Sequence, residues 1–481
     1  MNNDVQQYSQ SKSLNSWDVF VAGVALVVAA TTLVSDLTGY FTLGLSFFVA
    51  IVLAFVVNLF LGLSVADLAT AHPRAGGLYD YTKEIFGGRF GAFLGVFLGL
   101  TFFGMFAFAA SGETAAGAFG LQALFHSDLN INYFIVLISA LAVIPNIFGL
   151  KTASWVSAVL LVLMLGIRWL FGIAGFLGLG ATGQWSFNNL ISDVSLFDWF
   201  GDGGILSGGL TLAFWSFVGI EFACSLAEEV REPRKALPRG IISGLVVIML
   251  TSLVMGFGIT GTQSLSTWQT LIAGADACEG SCPQLAVGQA MFGDTGYTLM
   301  ALASVTATLG SLVVTYLAMP RILYGIARDR NLFGPLSGPF SRLHPRYGTP
   351  VIAILFTFPL YVAPALHSSG VVEWLYSAAY VWILLYVVFH VLVLFSRRRH
   401  PDLPKAFLGR WFSPMAIAGI ALTLMSLYYA FAGAHLEFGS RALVVILTAL
   451  VVAGLSFAIS SGANQTAASA QTVAVRERTR L

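Results

Sequence analysis

The chain has 481 residues, of which 57% are hydrophobic and 10% charged, and its mean hydropathy is +0.82. A soluble protein carries about 25% charged residues, so much of this surface must face lipid. The formal net charge of +1 gives no reason to expect nucleic acid as a partner. Residues 1–16 are polar and lack the basic-then-apolar layout of a secretion signal, so we expect an N-terminal tail there.

Apolar runs long enough to cross a bilayer recur along the whole chain. A spanning helix needs about 20 such residues, and about twelve runs approach this length. They lie near 17–40, 44–69, 90–120, 131–149, 155–179, 205–227, 238–261, 295–322, 350–366, 372–396, 412–433 and 441–461. The sequence therefore predicts an all-α polytopic membrane protein.

The basic residues fix the predicted orientation. With both termini in the cytoplasm, all Lys and Arg fall inside except Arg168, which lies within a span, and Arg441. The opposite loops hold acidic residues, as the positive-inside rule requires. We expect a cell-membrane protein with cytoplasmic termini, and a disordered tail over 462–481, which is rich in Ala, Ser, Thr and Gln.

Two spans carry polar residues or glycine at membrane depth. The sixth contains Gly219 and Glu221 near its centre, where a carboxylate is costly unless it faces protein or water. The first contains Thr31, Thr32, Ser35, Asp36 and Thr38. Transporters with inverted repeats bind substrate where one helix of each repeat is interrupted. Because these spans are five helices apart, we predict repeats at 17–179 and 205–396, followed by two extra helices at 412–461.

Three segments carry a resemblance to a known family. They read A-D-L-A-T-A-H-P-R-A-G-G-L-Y-D-Y-T-K-E-I-F-G at 66–87, W-S-F-V-G-I-E at 215–221 with E-E-V-R-E-P-R-K-A-L-P-R at 228–239, and R-R-R-H-P-D-L-P-K-A-F at 397–407. With them the chain resembles the amino acid–polyamine–organocation (APC) transporters. The resemblance implies the LeuT fold, a five-plus-five inverted repeat. It also implies secondary active transport of an amino acid by alternating access around the broken first and sixth spans.

Span six is most similar to that of arginine/agmatine antiporters. In those relatives the tryptophan gates the occluded substrate and the glutamate is tied to the pH response, which implies these roles for Trp215 and Glu221. The residues implied to line the break are Ser216, Phe217, Val218 and Gly219. Ordinary helix packing by Trp215 and a structural hydrogen-bonding role for Glu221 stay open.

Span one departs from the family pattern. Relatives have G-S-G-I-F or similar, whose freed amides hold the substrate carboxylate, whereas this chain has Ala29-Ala30-Thr31-Thr32-Leu33. A carboxylate could still bind the Thr hydroxyls and amides. If the break has slipped to Ser35–Gly39, Asp36 would face the site, pair with an amine and repel a carboxylate. The alternative is that Asp36 lies in the outer vestibule without a specific ligand.

Spans three and eight supply the side-chain pocket in the relatives. The matching positions here are Thr101, Phe102, Phe106 and, on span eight, Thr315, so the aromatic box for a guanidinium is incomplete. Glu113 lies two turns beyond Phe106 on the same helix face, where it would meet a cationic substrate or act as a vestibule acid.

The coupling ion stays open at this stage. Many relatives place a lysine on span five where others hold sodium; that position is Met164, and Arg168 lies one turn later. Arg168 is expected to act as a fixed charge in place of an ion, or to be a snorkelling or ion-paired residue. Thr308 and Ser311 on span eight offer hydroxyls that bind sodium, or pack as small residues. Three coupling modes therefore stay open: sodium symport, proton symport through Glu221, and exchange.

The sequence thus favours an amino acid permease, with an amine, polyamine or ethanolamine transporter and a non-transporting sensor as alternatives. No H-E-x-x-H motif occurs, and we expect neither an enzyme nor a metal site nor a cofactor beyond Na⁺ or H⁺ coupling. We expect the lipid bilayer to surround the protein. Whether the chain forms a homodimer stays open. Cys278 and Cys282, in C-E-G-S-C, form either a small disulfide or two free thiols.

Overall fold

The computed structural model describes residues 14–74, 76–191, 196–200, 204–275, 278, 282–367, 371–404, 411–432 and 440–460. In these residues the secondary structure is helical apart from one bridge between Leu14 and Val230. The α-helices are α1 Ser16–Val27, α2 Ala30–Leu43, α3 Leu45–Ala71, α4 Leu78–Phe86, α5 Gly88–Leu124, α6 Ile131–Ile147, α7 Leu150–Phe176, α8 Leu210–Trp215, α9 Pro233–Thr260, α10 Leu265–Ala275, α11 Pro283–Arg328, α12 Ser337–Phe340, α13 Val351–His367, α14 Val371–Arg399, α15 Phe412–Ala432 and α16 Ser440–Ser460.

Eight of these helices are long and apolar enough to cross a membrane: α3, α5, α7, α9, α11, α14, α15 and α16. Helices α1 and α2 make one further span that is bent by 59°, and α6, α13 and the segment Leu210–Phe222 are shorter apolar helices. Each predicted apolar run falls on one of these segments. The prediction of an all-α polytopic membrane protein is therefore confirmed.

Large apolar side chains cover the outside of the helix assembly. Tyr133 on α6, Val162 on α7, Leu355 on α13 and Val451 on α16 are all more than half exposed. A soluble protein rarely shows so extensive an apolar surface, whereas lipid-facing helices require it. The low charge content predicted this surface, and its distribution over several helices identifies the lipid-facing side of each.

Helices α5 and α11 approach closely at the centre of the assembly. A Cβ added to Gly117 would lie 2.4 Å from Cγ2 of Thr308, so only glycine allows this contact. Small residues let membrane helices pack backbone against backbone in this way. The contact places Glu113, one turn before Gly117 on α5, directly against Thr308.

Ion pairs join the helix ends near the short helix α4. Asp80 on α4 pairs with Arg328 at 3.0 Å, and Lys83 pairs with Asp329 at 2.5 Å. His72, just after α3, contacts Glu84 at 2.8 Å and Ser396 of α14 at 3.0 Å. Arg397 also contacts Asp67. Polar and charged residues of segments 66–87 and 397–407 thus meet those at the end of α11 in one cluster, called here the α4 clamp: Asp67, His72, Arg74, Tyr79, Asp80, Lys83, Glu84, Arg328, Asp329, Ser396 and Arg397.

Other predictions about the chain ends and loops have mixed outcomes. The structure joins Cys278 and Cys282 in a disulfide, which decides between the two alternatives. The predicted tail 462–481 and residues 1–13 of the predicted tail 1–16 lie outside the described residues. The division into two inverted repeats and the cytoplasmic location of the termini stay predictions.

Candidate functional site

The first span is interrupted at Val28 and Ala29. Helix α1 ends at Val27, Ala29 is extended (φ −71°, ψ 168°), and α2 begins at Ala30. The break therefore lies at the start of the predicted stretch 29–33. The alternative location at Ser35–Gly39 is wrong, because those residues lie inside α2. A break leaves backbone carbonyls free at the end of α1 and amides free at the start of α2.

The free amides of α2 bind the carboxylate of Glu113 from α5. Ala30 N–H donates to Oε1 at 2.9 Å, and Thr31 N–H donates to Oε2 at 3.0 Å. The Thr31 hydroxyl donates to Oε2 at 2.8 Å and the Thr308 hydroxyl donates to Oε1 at 2.7 Å. Glu113 is buried. An anion is favoured here by the N–H groups and by the positive end of the helix dipole.

The free carbonyls of α1 are bound by different groups. Arg168 from α7, almost fully buried, donates from Nη2 to the carbonyl of Ala29 and, at 3.4 Å, to that of Val28. The Thr32 hydroxyl donates to the carbonyl of Val27 at 2.5 Å. A cation therefore stabilises the negative end of α1 while a carboxylate stabilises the positive end of α2.

The sixth span is interrupted after Trp215. Helix α8 ends at Trp215, residues 216–219 turn, and a 3₁₀-helix follows over Ile220–Leu226. Gly219 has φ +113°, and a Cβ there would lie 2.5 Å from Cδ2 of Leu26 on α1. A non-glycine residue would be strained in this conformation. The glycine thus lets the two broken spans approach each other.

Trp215 connects the two breaks. Its indole N–H donates to the Thr31 hydroxyl oxygen at 3.1 Å, and this hydroxyl in turn donates to Glu113. The Trp215 ring also packs edge to face against Trp382 of α14, with centroids 5.7 Å apart. The predicted gate residue therefore contacts the first span and the tenth at once.

Glu221 lies directly after the sixth break and is held by α14. Trp382 Nε1 donates to its Oε1 at 2.6 Å, and the Tyr386 hydroxyl donates to Oε2 at 3.3 Å. The Gly219 N–H donates to Oε2 at 3.1 Å. Glu221 is almost fully buried, as a mid-membrane acid with three donors is expected to be.

A small cavity of about 30 Å³ lies between the two breaks. This holds about two water molecules, so side chains must move before a larger solute enters. All of its lining residues are buried. Those predicted as site residues are Ala29, Thr31, Thr32, Phe106, Trp215, Val218, Ser311 and Thr315; the others are Leu26, Val27, Ala109, Ala110, Glu113 and Trp382.

Aromatic rings separate this cavity from a second one of about 30 Å³ that reaches α4. Phe106, Phe222 and Trp382 form the partition, with Phe106 centroids 4.5 Å from Phe222 and 4.8 Å from Trp382. The residues that line the second cavity include Phe102, Glu221 and, on α4, Tyr81. Phe102 was predicted for the substrate pocket and lies on the far side of the partition.

Several other predicted residues lie outside the cavity lining. Asp36 is almost fully buried and accepts a 2.5 Å hydrogen bond from Ser216, so it is not exposed to water as a vestibule acid would be. Ala30 and Thr308 contact Glu113 behind the lining. Thr101 donates to the carbonyl of Phe97 in its own helix. Within the described parts of the chain, no three His, Cys, Asp or Glu residues are grouped to hold a metal ion.

The predictions from sequence gave α5 too small a part in the site and named no site residue on α14. Glu113 was considered only as a group that meets a cationic substrate or as a vestibule acid, and Trp382 and Tyr386 were not considered. The signal for α14 was present in the sequence, because Trp382, Tyr386 and His390 recur every four residues and so share one helix face. The signal for Glu113 was its charge in an apolar span, the same argument that singled out Glu221.

Comparison with known proteins agrees with this architecture. The amino acid permease family matches residues 14–455. The branched-chain amino acid permease BcaP of Bacillus subtilis is 25% identical over 83% of this chain and 84% of its own length. The serine/threonine exchanger SteT of the same organism is 26% identical over 75% and 77%, and its methylthioribose transporter is 21% identical over 87% and 88%. The chain therefore belongs to the amino acid permease family, and it is a membrane transporter rather than an enzyme.

Proposed function

We propose that the protein carries an amino acid across the cell membrane by alternating access around the cavity between the two breaks. The observation that carries the proposal is the pairing of broken spans, since Thr31 at the start of α2 and Trp215 at the end of α8 line one buried cavity. Broken helices at mid-membrane are how secondary transporters hold charged substrate groups. The names of BcaP and SteT support an amino acid as the substrate.

In this proposal the α4 clamp lies on the cytoplasmic side, with both termini. The aromatic partition of Phe106, Phe222 and Trp382 then separates the substrate cavity from the inner exit. Opening inward requires those rings to part and the clamp to loosen, while opening outward requires Trp215 to leave Thr31. The two movements use different contacts, so each can occur while the other side stays closed.

The test is uptake of a panel of radiolabelled amino acids by purified protein in liposomes. We expect saturable uptake or exchange of at least one of them, and no accumulation in protein-free liposomes. Trp215→Ala removes the contact between the breaks and should abolish uptake. Trp155→Ala, at a lipid-exposed position, is the matched control and should not. No uptake or exchange of any amino acid under sodium, proton or counter-substrate gradients would overturn the proposal.

We also infer that transport needs no sodium. Arg168 already places a cation on the free carbonyls of Val28 and Ala29, and Thr308 directs its hydroxyl at Glu113. A sodium ion requires several such oxygens at once. Replacing sodium by choline on both sides should therefore leave the initial uptake rate unchanged, and a rate that rises with sodium would contradict the inference.

A further inference from the structure

The contacts of Glu113 are those that a bound carboxylate would make. Two backbone amides and two hydroxyls, from Ala30, Thr31 and Thr308, all donate to its two oxygens at 2.7–3.0 Å. The side chain reaches this position from another helix, 83 residues away from Ala30 along the chain. It also lines the cavity between the breaks. The polar groups that face an incoming solute at this point are therefore already bound by the protein's own acid.

A substrate carboxylate cannot share these donors with Glu113. Each amide has one proton, and both are used by Glu113. Two carboxylates in contact also repel each other, strongly so in a medium of low dielectric constant. The cavity of about 30 Å³ leaves no room for both groups. Binding a carboxylate at α2 therefore requires Glu113 to move away.

We propose that Glu113 is a tethered carboxylate that competes with the substrate carboxylate for the amides of Ala30 and Thr31. The proposal rests on the proposed function, because it names the residue that sets how tightly an amino acid is held. With Glu113 in place α2 is joined to α5 directly and to α11 through Thr308. A substrate that displaces it releases α2 from both helices. Carboxylate binding is thereby coupled to the freedom of the broken span to move.

The first experiment measures binding of substrate pairs that differ only in the carboxylate. The probes are L-serine with ethanolamine and L-leucine with 3-methylbutylamine, each titrated by isothermal calorimetry in detergent. Glu113→Gln keeps the shape of the side chain and removes its charge. We expect the amino acid Kd to fall about tenfold, the ratio that 1.4 kcal/mol supplies. The Kd of the amine should stay within about twofold, well below that tenfold change.

Matched variants on α11 separate competition from general damage. Thr308→Val removes one donor to Glu113 and should tighten amino acid binding in the same direction, but less. Thr306→Val removes a hydroxyl that bonds only carbonyls of its own helix and should change neither Kd. Equal loss of amino acid and amine binding in Glu113→Gln would show a structural role and overturn the proposal. Selective loss of amine binding would show that Glu113 recognises amines, which also overturns it.

The second experiment does not depend on which solute the protein carries. Glu113→Ala leaves the amides of Ala30 and Thr31 without their carboxylate, so acetate should bind there and raise the melting temperature. Ligand binding stabilises the folded state by mass action, and wild-type protein should show no such shift. Sodium chloride at equal ionic strength is the control. If acetate stabilises neither or both proteins, the anion site is not as inferred. This arm stands even if the liposome assay finds no amino acid uptake.

Discussion

The centre of the membrane and the α4 end hold their charges in opposite ways. At the centre, Glu113 and Arg168 bind backbone groups that the first break exposes. In the α4 clamp, carboxylates and basic side chains bind each other, as in the pairs Asp80–Arg328 and Lys83–Asp329. A fully buried ion pair costs desolvation of two charges, whereas a helix end offers an opposite partial charge that needs no second ion.

This contrast indicates which contacts must break during transport and which only stabilise the fold. A helix break holds a charge only while the two helix halves keep their positions, so contacts at the centre are sensitive to motion of the spans. Several ion pairs of the α4 clamp join partly exposed side chains, such as Arg74–Glu84 and Lys83–Asp329, and such pairs are individually weak. We therefore expect changes at the centre to abolish transport, and changes in the clamp to alter stability and its pH dependence by smaller amounts.

The largest effect is expected from removing the central cation. Arg168→Met leaves the carbonyls of Val28 and Ala29 without a donor beside a buried carboxylate at Glu113. Removing one partner of a buried charge arrangement costs about 3–5 kcal/mol. We expect loss of uptake and a clearly lower melting temperature. The exposed Arg346→Met is the matched control and should behave as wild type. A fully active Arg168→Met would show that the first break does not need this charge.

The second largest effect is expected from a variant that disturbs the close approach of the two breaks. Gly219→Ala adds a methyl group 2.5 Å from Leu26 at a residue with φ +113°. Strain of this kind costs about 1–3 kcal/mol. We expect a melting temperature several degrees lower, measured by tryptophan fluorescence, and at least a tenfold fall in uptake rate, as about 1.4 kcal/mol supplies. Gly166→Ala on α7 meets no atom within 4 Å and serves as the control. Equal behaviour of the two variants would contradict this account of the sixth break.

Most of the fold and part of the candidate site were predictable from the sequence. The apolar runs predicted every membrane span. Polar residues at membrane depth identified the two broken spans, whose breaks lie near Ala29 and Gly219. The contact of Glu113 with Ala30 was not predictable, because it joins residues far apart in the chain and depends on how α5 crosses α2. Asp36 was considered as an amine ligand or as a vestibule acid because of its charge, whereas its burial against Ser216 depends on the packing of α8.

A moderate effect is expected where the sixth span meets α14. Trp382→Phe removes the indole N–H that donates to Glu221 at 2.6 Å, and Tyr386→Phe removes a longer bond of 3.3 Å. A hydrogen bond contributes about 0.5–1.5 kcal/mol and weakens with length, so the first variant should reduce uptake more than the second. Glu221→Gln should flatten the pH dependence of uptake. An unaltered pH profile in Glu221→Gln would show that its role is structural only.

The smallest effect concerns the pH dependence of the α4 clamp. Burial raises the pKa of Glu84, but the hydrogen bond and charge of His72, together with Arg74, outweigh it and hold the pKa below its usual value of 4.5. A lowered pKa in the folded state means that the pair stabilises the protein above about pH 4.5, and that this contribution is lost as the pH falls further. Glu84→Gln should therefore lower the melting temperature at pH 7 by an amount equal to at most about 1 kcal/mol, since Arg74 is half exposed. The difference from wild type should vanish near pH 3, as thermal unfolding followed by circular dichroism would measure. A difference that grows as the pH falls would mean that Glu84 is protonated in the folded state, and that the clamp near α4 is not held by charge.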